Sequence, residues 1–235
     1  MIKILKRLNI PEKISIRNKN RSIKKAHLNH RKEHPNDYID IDSIVKIFRS
    51  GGGLKHEFQS YKLWELKKYL EIYKPSNVLE FGSGSSTLIF AKYTLSNNCG
   101  LTSCDESEHW IENTKKLLGD NLHSNISIMH AERKFGFDNE ITTVNYDMTL
   151  QDSFDFVLVD GPSQRINNIR RKDSVNADVL NLPKLPKVIL VDGRESTFQY
   201  LSKKLENTHD AFPSDINTKK SFKTEYNYFS RLVLR

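Results

Sequence analysis

Short apolar runs alternate with helix-like segments along most of the chain, and this alternation limits the possible folds more than any other feature. The expected strands cover 77–81, 100–104, 126–130, 154–160, 187–192 and 228–234. The expected helices between them cover 87–95, 108–118 and 196–206. Strands that are apolar throughout and separated by helices are typical of a parallel sheet covered on both faces. The sequence therefore predicts a doubly wound α/β fold.

Two segments of different character precede this series. Residues 36–74 are predicted to form a helical extension, with helices at 39–49 and 57–73 joined by Gly51-Gly52-Gly53. We interpret the three glycines as a plain linker, and the hinge of a lid is the alternative. Residues 1–35 contain eleven Lys or Arg and two Glu, a net charge of +9, whereas the whole chain carries +8. The basic excess therefore belongs to this N-terminal arm.

The basic arm has weak periodicity and few aromatic residues, so we expect it to be partly disordered or docked. A solvated charged tail is its simplest interpretation. Ile2, Leu5 and Leu8 repeat every three residues before Pro11, which is expected to stop any helix soon after. This pattern makes peripheral contact with an anionic membrane one alternative. Contact with the phosphates of RNA is another.

Cysteine usage and hydropathy exclude several classes of protein. The two cysteines, Cys99 and Cys104, cannot build a disulfide framework and do not lie at zinc-ligand spacing from histidines. The apolar runs are far shorter than the roughly 20 residues that span a bilayer. The first residues lack the apolar core of a secretory signal. We therefore expect a cytoplasmic protein, with peripheral membrane contact only through the arm.

The first expected strand leads into a glycine turn, Val78-Leu79-Glu80-Phe81-Gly82-Ser83-Gly84-Ser85-Ser86-Thr87. Glycines at 82 and 84 let the backbone approach a ligand closely, and the N–H groups of the next helix can face a polar or anionic group. A tight turn without a ligand is the alternative. The dinucleotide-binding fingerprint would place a third glycine at position 87, where this chain has Thr87.

This turn resembles the first motif of the class I S-adenosylmethionine-dependent methyltransferases, whose sheet is Rossmann-like. The resemblance covers roughly residues 75–235 and implies a domain that binds S-adenosylmethionine. It assigns cofactor contacts to Glu80, Phe81, Gly82, Ser83, Gly84, Ser85 and Ser86. After the second strand, Asp105 would bind the ribose hydroxyls, with Glu106 beside it. After the third strand, Ala131 and Glu132 would lie near the adenine ring.

One of these assignments has a simpler alternative. Asp105 could cap the following helix instead of binding ribose, because Asp and Ser107 are both good N-cap residues. Trp110, just inside that helix, is expected in the core or on the surface and not against adenine.

Two acidic residues end neighbouring apolar runs, in Phe156-Val157-Leu158-Val159-Asp160-Gly161 and Val188-Ile189-Leu190-Val191-Asp192-Gly193. The resemblance puts Asp160 between cofactor and acceptor and makes it a cofactor contact as well. Asp160 or Asp192 could orient or deprotonate an acceptor hydroxyl. A turn-forming role with Gly161-Pro162 is the alternative for Asp160. We predict no metal, although a divalent ion between the two acids is an alternative. Arg165 and Arg194 are predicted to bind anionic groups of the substrate, with a solvated loop as the alternative.

The leading hypothesis is O-methylation of a small molecule, or of a glycan or polysaccharide precursor, with S-adenosylmethionine as cofactor. Methylation of RNA ribose, guided by the arm, is the first alternative. Methylation of base amino groups is disfavoured, because Asp160-Gly161-Pro162-Ser163 stands where an Asn-Pro-Pro-aromatic loop would be expected. The second alternative is a non-catalytic protein or an aminopropyltransferase on the same fold.

Overall fold

The computed structural model describes residues 10–53, 59–166, 169–170, 174–217 and 226–235. Six α-helices lie in these ranges: α1 (Ile10–Glu33), α2 (Ile39–Ser50), α3 (Gln59–Tyr73), α4 (Ser85–Asn97), α5 (Glu108–Leu118) and α6 (Glu195–Lys204). The first strands are β1 (Asn77–Phe81), β2 (Gly100–Asp105), β3 (Ile126–His130), β4 (Arg133–Asp138), β5 (Ile141–Tyr146) and β6 (Phe156–Val159). The later strands are β7 (Arg165–Ile166), β8 (Ile169–Arg170), β9 (Ser174–Asn176), β10 (Val188–Val191), β11 (His209–Phe212) and β12 (Ser230–Leu234).

The main sheet has seven strands in the order β11-β12-β10-β6-β1-β2-β3. Its inner pairs are parallel, and β12 runs antiparallel to both of its neighbours. The chain builds the sheet outward from β1 in one direction and then returns to β6 on the other side. The order therefore reverses between β1 and β6, which opens a crevice beyond their carboxyl ends. The predicted doubly wound fold is confirmed.

Alternate residues of each central strand enter different cores, as the two-residue period of a strand requires. Phe156 and Leu158 of β6 pack with α2, α3, α4 and α5 on one face. Val157 and Val159 pack with α6, β5 and β9 on the other face. Strands β6 and β10 carry no polar side chain, because both of their faces are covered.

The helical extension shares the core of the sheet. Ile41 of α2 and Tyr61 of α3 are fully buried and belong to the same cluster as Val78 of β1. Part of the basic arm is docked as well, since Ile23 and Ala26 of α1 are buried. The helix that Pro11 was expected to end would lie in residues 1–9, outside the described residues, so that expectation stays a prediction. Pro11 lies in the first turn of α1, where a missing backbone N–H costs no helical hydrogen bond.

Some elements were not predicted. Strands β4 and β5 form an antiparallel hairpin that pairs with β9 in a separate three-stranded sheet.

The proposed membrane anchor at Ile2, Leu5 and Leu8 lies outside the described residues. Within the described ranges, no helix is both long and apolar enough to cross a membrane.

Candidate active site

The turn after β1 is held against the turn after β6 by a close backbone contact. Gly82 has φ +99°, and a Cβ atom built there would lie 2.8 Å from the carbonyl carbon of Asp160 and 2.8 Å from the nitrogen of Gly161. Only glycine satisfies both requirements. Gly84 differs, because its φ of 179° is ordinary extended backbone and a Cβ there would meet nothing within 4 Å. Open space therefore lies in front of Gly84.

The Glu80 side chain holds the glycine turn in place from its buried side. Its fully buried carboxyl group accepts hydrogen bonds from Ser86, Thr87 and Ser103, which belong to α4 and β2. Desolvation raises the pKa of Glu80 to about 7, although these three hydroxyl donors act in the opposite direction. Glu80 thus ties β1, β2 and the start of α4 together and does not line the open space.

Asp105, the last residue of β2, and Glu106, directly after it, link neighbouring loops. Asp105 accepts hydrogen bonds from the backbone N–H of Ser83 and of Ser107, both at 2.9 Å. Desolvation raises the pKa of Asp105 to about 6. Glu106 accepts from the Ser163 N–H at 3.0 Å and from the Tyr146 hydroxyl at 3.2 Å. Both carboxyl groups still border the crevice.

A cavity of about 580 Å³ occupies the crevice between β1 and β6, within the size range of ligand pockets. Four acidic residues and two arginines contribute to its wall. Its lining is Gly82, Ser83, Asp105, Glu106, Trp110, Asp160, Gly161, Ser163, Gln164, Arg165, Asp192, Gly193 and Arg194. We call it the crevice cavity.

A second cavity of about 620 Å³ adjoins the first and shares Ser83, Trp110, Asp160, Asp192 and Gly193 with it. Its other walls come from the extension, the start of α4 and the segment before β12. They are Phe48, Gly52, Gln59, Lys62, Gly84, Ser85, Ser86 and Tyr228. We call it the extension cavity. Trp110 stands between the two, donating its Nε1–H to the Ser83 carbonyl at 2.6 Å and meeting Phe48 edge-on.

Lys62 of α3 reaches the shared wall of the two cavities. Its Nζ lies 3.0 Å from Asp160 Oδ2 and forms a second ion pair with Asp192. Desolvation lowers the pKa of Lys62, but the charges of both carboxylates outweigh it and hold that pKa well above its ordinary value. A third of the Asp160 side chain is exposed, against 9% for Asp192. Asp160 is therefore the more accessible carboxylate of this pair.

The two carboxyl groups differ in acidity. Desolvation and the neighbouring charge of Asp192 raise the pKa of Asp160 to about 6, while Lys62 and Arg194 act against this shift. Desolvation acts on Asp192 too, but its closer contact with Lys62 leaves its pKa below the ordinary value. The Tyr228 hydroxyl hydrogen-bonds to Asp192, and burial raises the pKa of that tyrosine well above its usual range.

Helix α3 is fixed to the end of the chain by buried hydrogen bonds. The Glu65 carboxylate accepts from the backbone N–H groups of Tyr228 at 2.7 Å and Phe229 at 3.2 Å. The Tyr61 hydroxyl donates to the Tyr226 carbonyl at 2.8 Å and accepts from its N–H at 3.0 Å. These bonds hold Lys62 and Tyr228 at the same place in the site.

No protein-family model matches the chain, and no curated protein is similar to it in sequence. Solved structures are similar. A candidate O-methyltransferase from Klebsiella pneumoniae aligns over 83% of this chain and 89% of its own length, with a TM-score of 0.51 and 12% identity. The SAH-bound methyltransferase PaMTH1 from Podospora anserina aligns over 97% and 98%, with a TM-score of 0.50 and 12% identity. The chain has the class I methyltransferase fold. At this identity, the likeness concerns the fold.

Within this methyltransferase fold, the predicted residues fall into three groups. Asp160 and Asp192 meet at one wall, as their positions after neighbouring parallel strands require. Eight predicted cofactor residues line one or both cavities: Gly82, Ser83, Gly84, Ser85, Ser86, Asp105, Glu106 and Asp160. Glu80 and Phe81 are buried behind the turn. Ala131 and Glu132 are in the lining of neither cavity.

The two arginines are placed differently. Arg165 is exposed at the edge of the crevice cavity. Arg194 also borders it, but its guanidinium donates to the Pro162 carbonyl and to Asn176 Oδ1, each at 2.9 Å, and to the Asp160 carbonyl. Its main contacts therefore hold the turn after β6.

Sequence reasoning missed several lining residues of the methyltransferase fold. Lys62, Gln59 and Phe48 come from the extension, and Tyr228 precedes β12. Trp110 was expected in the core or on the surface, yet it lines both cavities. The one available signal was Lys62, a charged residue between Tyr61 and Leu63, which are fully buried. The sequence did not indicate which residues Lys62 contacts.

Proposed function

We propose that this protein transfers the methyl group of S-adenosylmethionine to a hydroxyl oxygen of a small molecule or glycan precursor. The observation that carries the proposal is the glycine turn at the β1–β6 crevice, which opens on an acidic cavity bordered by the carboxylate after β2.

The crevice cavity suits a cofactor with positively charged groups. Lys62 and Arg194 balance Asp160 and Asp192. Among the remaining described lining residues, Asp105 and Glu106 outnumber Arg165, so the field of the cavity favours a sulfonium and an ammonium over a phosphate. The open space at Gly84, on the adjoining wall of the extension cavity, leaves room for the cofactor to approach the backbone closely. Gly82, Ser83 and Gly84 would hold the cofactor, together with the Asp105–Glu106 edge and the ring of Trp110.

When bound, S-adenosylmethionine supplies an electrophilic methyl carbon to the acceptor oxygen. Asp160 accepts the proton of the acceptor hydroxyl, because it is the more accessible carboxylate of the pair and its pKa is raised to about 6. Asp192 remains charged behind it. The walls contributed by α2, α3 and α5 limit the access of water and hold the acceptor near Asp160, so that positioning supplies much of the rate.

The part of the extension cavity away from Gly84, Ser85 and Ser86 is the proposed acceptor site. It combines the aromatic side chains of Phe48, Trp110 and Tyr228 with the carboxylates at its shared wall. Aromatic rings offer faces for a phenolic ring or the apolar face of a sugar. Arg165, at the exposed edge, is the remaining candidate for an anionic group on a larger acceptor.

The test is label transfer from methyl-labelled S-adenosylmethionine to phenols, sugars, sugar nucleotides and RNA, with products analysed by mass spectrometry. We expect O-methylated small molecules, and about a 100-fold lower rate for Asp160→Asn. Asp152→Asn, an exposed position outside both cavities, is the matched control. Label confined to RNA would support the ribose alternative instead. Transfer of an aminopropyl group from the decarboxylated cofactor would overturn the proposal.

A further inference from the structure

The carboxylates of Asp160 and Asp192 form a paired acidic site at the ends of β6 and β10. The two strands are adjacent and parallel, with Val159 aligned with Val191, so the acids that follow them emerge side by side. Two carboxylates in such an arrangement repel each other unless a cation lies between them. Whether that cation is a metal ion or a basic side chain decides how the site works.

Lys62 already provides the cation. Its ammonium contacts both carboxylates, and 12% of its side chain is exposed. The Arg194 guanidinium adds a second positive charge, with Nη2 3.7 Å from Asp160 Oδ1. Two basic groups thus balance two acidic groups.

A divalent ion does not fit this arrangement. It would need oxygen ligands at roughly 2.0–2.6 Å in the position that Lys62 Nζ occupies, and both basic groups would repel it. Within the described part of the chain, no group of three or more His, Cys, Asp or Glu side chains could hold a metal ion.

The position of Lys62 is built into the fold. Tyr61 and Glu65, on either side of it in α3, are buried and bonded to the backbone of residues 226–229. A flexible surface lysine could move away from the acids. Lys62 cannot do so without breaking these bonds or leaving Asp160 and Asp192 with the Arg194 guanidinium as their one nearby counterion among the described residues.

We propose that Lys62 is a positioning residue that takes the place of a divalent cation between Asp160 and Asp192, so that the site works without a metal. It holds Asp160 toward the extension cavity and keeps Asp192 charged behind it. The inference rests on the proposed function for its role in catalysis, but the exclusion of a metal follows from the ion pairs alone.

The first experiment measures metal binding without cofactor. Wild-type protein is titrated with Mn²⁺, and the electron paramagnetic resonance signal of free Mn²⁺ is followed. At millimolar Mn²⁺, we expect wild type and Asp192→Asn to leave the same signal of free Mn²⁺. Binding that disappears in this variant would overturn the inference. Because the experiment uses neither cofactor nor acceptor, its outcome is separate from that of the proposed function.

The second experiment follows the Asp160 carboxyl carbon by ¹³C NMR as a function of pH, with Asp160→Asn used for assignment. In Lys62→Met, loss of the ammonium should raise the midpoint of the Asp160 titration by at least about one pH unit. Lys62→Arg should stay near wild type. Lys67→Met, on the exposed side of the same helix, is the control. An unchanged midpoint in Lys62→Met would contradict the role of Lys62, and if that variant does not fold, the Mn²⁺ titration of wild type decides.

The third experiment measures methyl transfer in the presence of a chelator. Wild-type activity should be unchanged by EDTA and by added Mg²⁺, while Lys62→Met should lose about 100-fold in rate yet still bind S-adenosylhomocysteine. Inhibition of wild type by EDTA, reversed by Mg²⁺, would overturn the inference. Failure of wild type to bind S-adenosylhomocysteine would instead contradict the proposed function.

Discussion

The contact between Gly82 and the turn after β6 provides a quantitative test of the site architecture. Gly82→Ser would force a side chain onto a backbone with φ +99° and place its Cβ 2.8–2.9 Å from three backbone atoms of Asp160 and Gly161. The backbone conformation costs about 1–3 kcal/mol. The steric overlap costs about the same again, because the atoms are main-chain atoms that cannot rotate away.

Together these costs lower the free energy of unfolding by roughly 4 kcal/mol, which corresponds to about 8–16 °C in melting temperature for a chain of this size. Gly84→Ser is the matched control, because the same side chain meets nothing within 4 Å and φ is extended. Serine is also a favourable N-cap for α4. Its melting temperature should stay within about 2 °C of wild type.

The assay is thermal unfolding by circular dichroism, combined with calorimetric titration of S-adenosylhomocysteine. Gly84→Ser should unfold like wild type but bind at least about tenfold more weakly, since its side chain enters the proposed cofactor space. If Gly82→Ser is as stable as wild type, the close approach of the two turns is refuted. If Gly84→Ser binds with unchanged affinity, the space in front of Gly84 is not where the cofactor lies.

The remaining predictions concern other parts of the site. Trp110→Ala should weaken S-adenosylhomocysteine binding at least about tenfold in calorimetry, because the indole walls both cavities and bonds to the Ser83 carbonyl; an unchanged affinity would contradict this. The rate of methyl transfer should rise with pH through about 6 and then level off, because Asp160 must lose its proton to act as the base; a flat profile between pH 5 and 8 would exclude that role. Glu65→Ala should reduce the free energy of unfolding in urea by about 2–3 kcal/mol, since it leaves the buried Tyr228 and Phe229 N–H groups without their acceptor; a loss below about 0.5 kcal/mol would refute the anchoring of α3.

The parts of the site that the sequence predicted are those encoded by local pattern. The strand–glycine–helix turn at 78–87 and the two acids after apolar runs each lie within a few consecutive residues. Parallel pairing then brings them to one edge of the sheet without further information. The positions of Asp160 and Asp192 were therefore predictable before any contact was known.

The residues that were missed depend on contacts between distant parts of the chain. Lys62 meets Asp160 across 98 positions, and Glu65 meets Tyr228 across 163. No local pattern connects them. The β4–β5 hairpin was missed for another reason. Strand β4 is largely exposed and carries Arg133, Lys134 and Asp138, and β5 is only partly buried, so neither has the continuous apolar run that marked the buried strands.

The N-terminal arm carries the basic excess, but its residues 21–33 are part of the fold. Residues 21–33 belong to a helix that buries Ile23 and Ala26 against the rest of the molecule. Composition reports charge and average hydropathy, whereas docking depends on a few apolar positions on one face of a helix. Contact of the arm with anionic membrane or RNA stays a prediction.

The most direct test of the central claim is calorimetric titration of the purified wild-type chain with S-adenosylhomocysteine, repeated with Asp105→Ala. Asp105 fastens the glycine turn and borders the crevice cavity, so its removal should affect both the shape and the polarity of the proposed cofactor site. We predict one binding site per chain in wild type and an affinity at least about tenfold lower in the variant. Absence of binding in wild type, or equal affinity in the two proteins, would contradict the account.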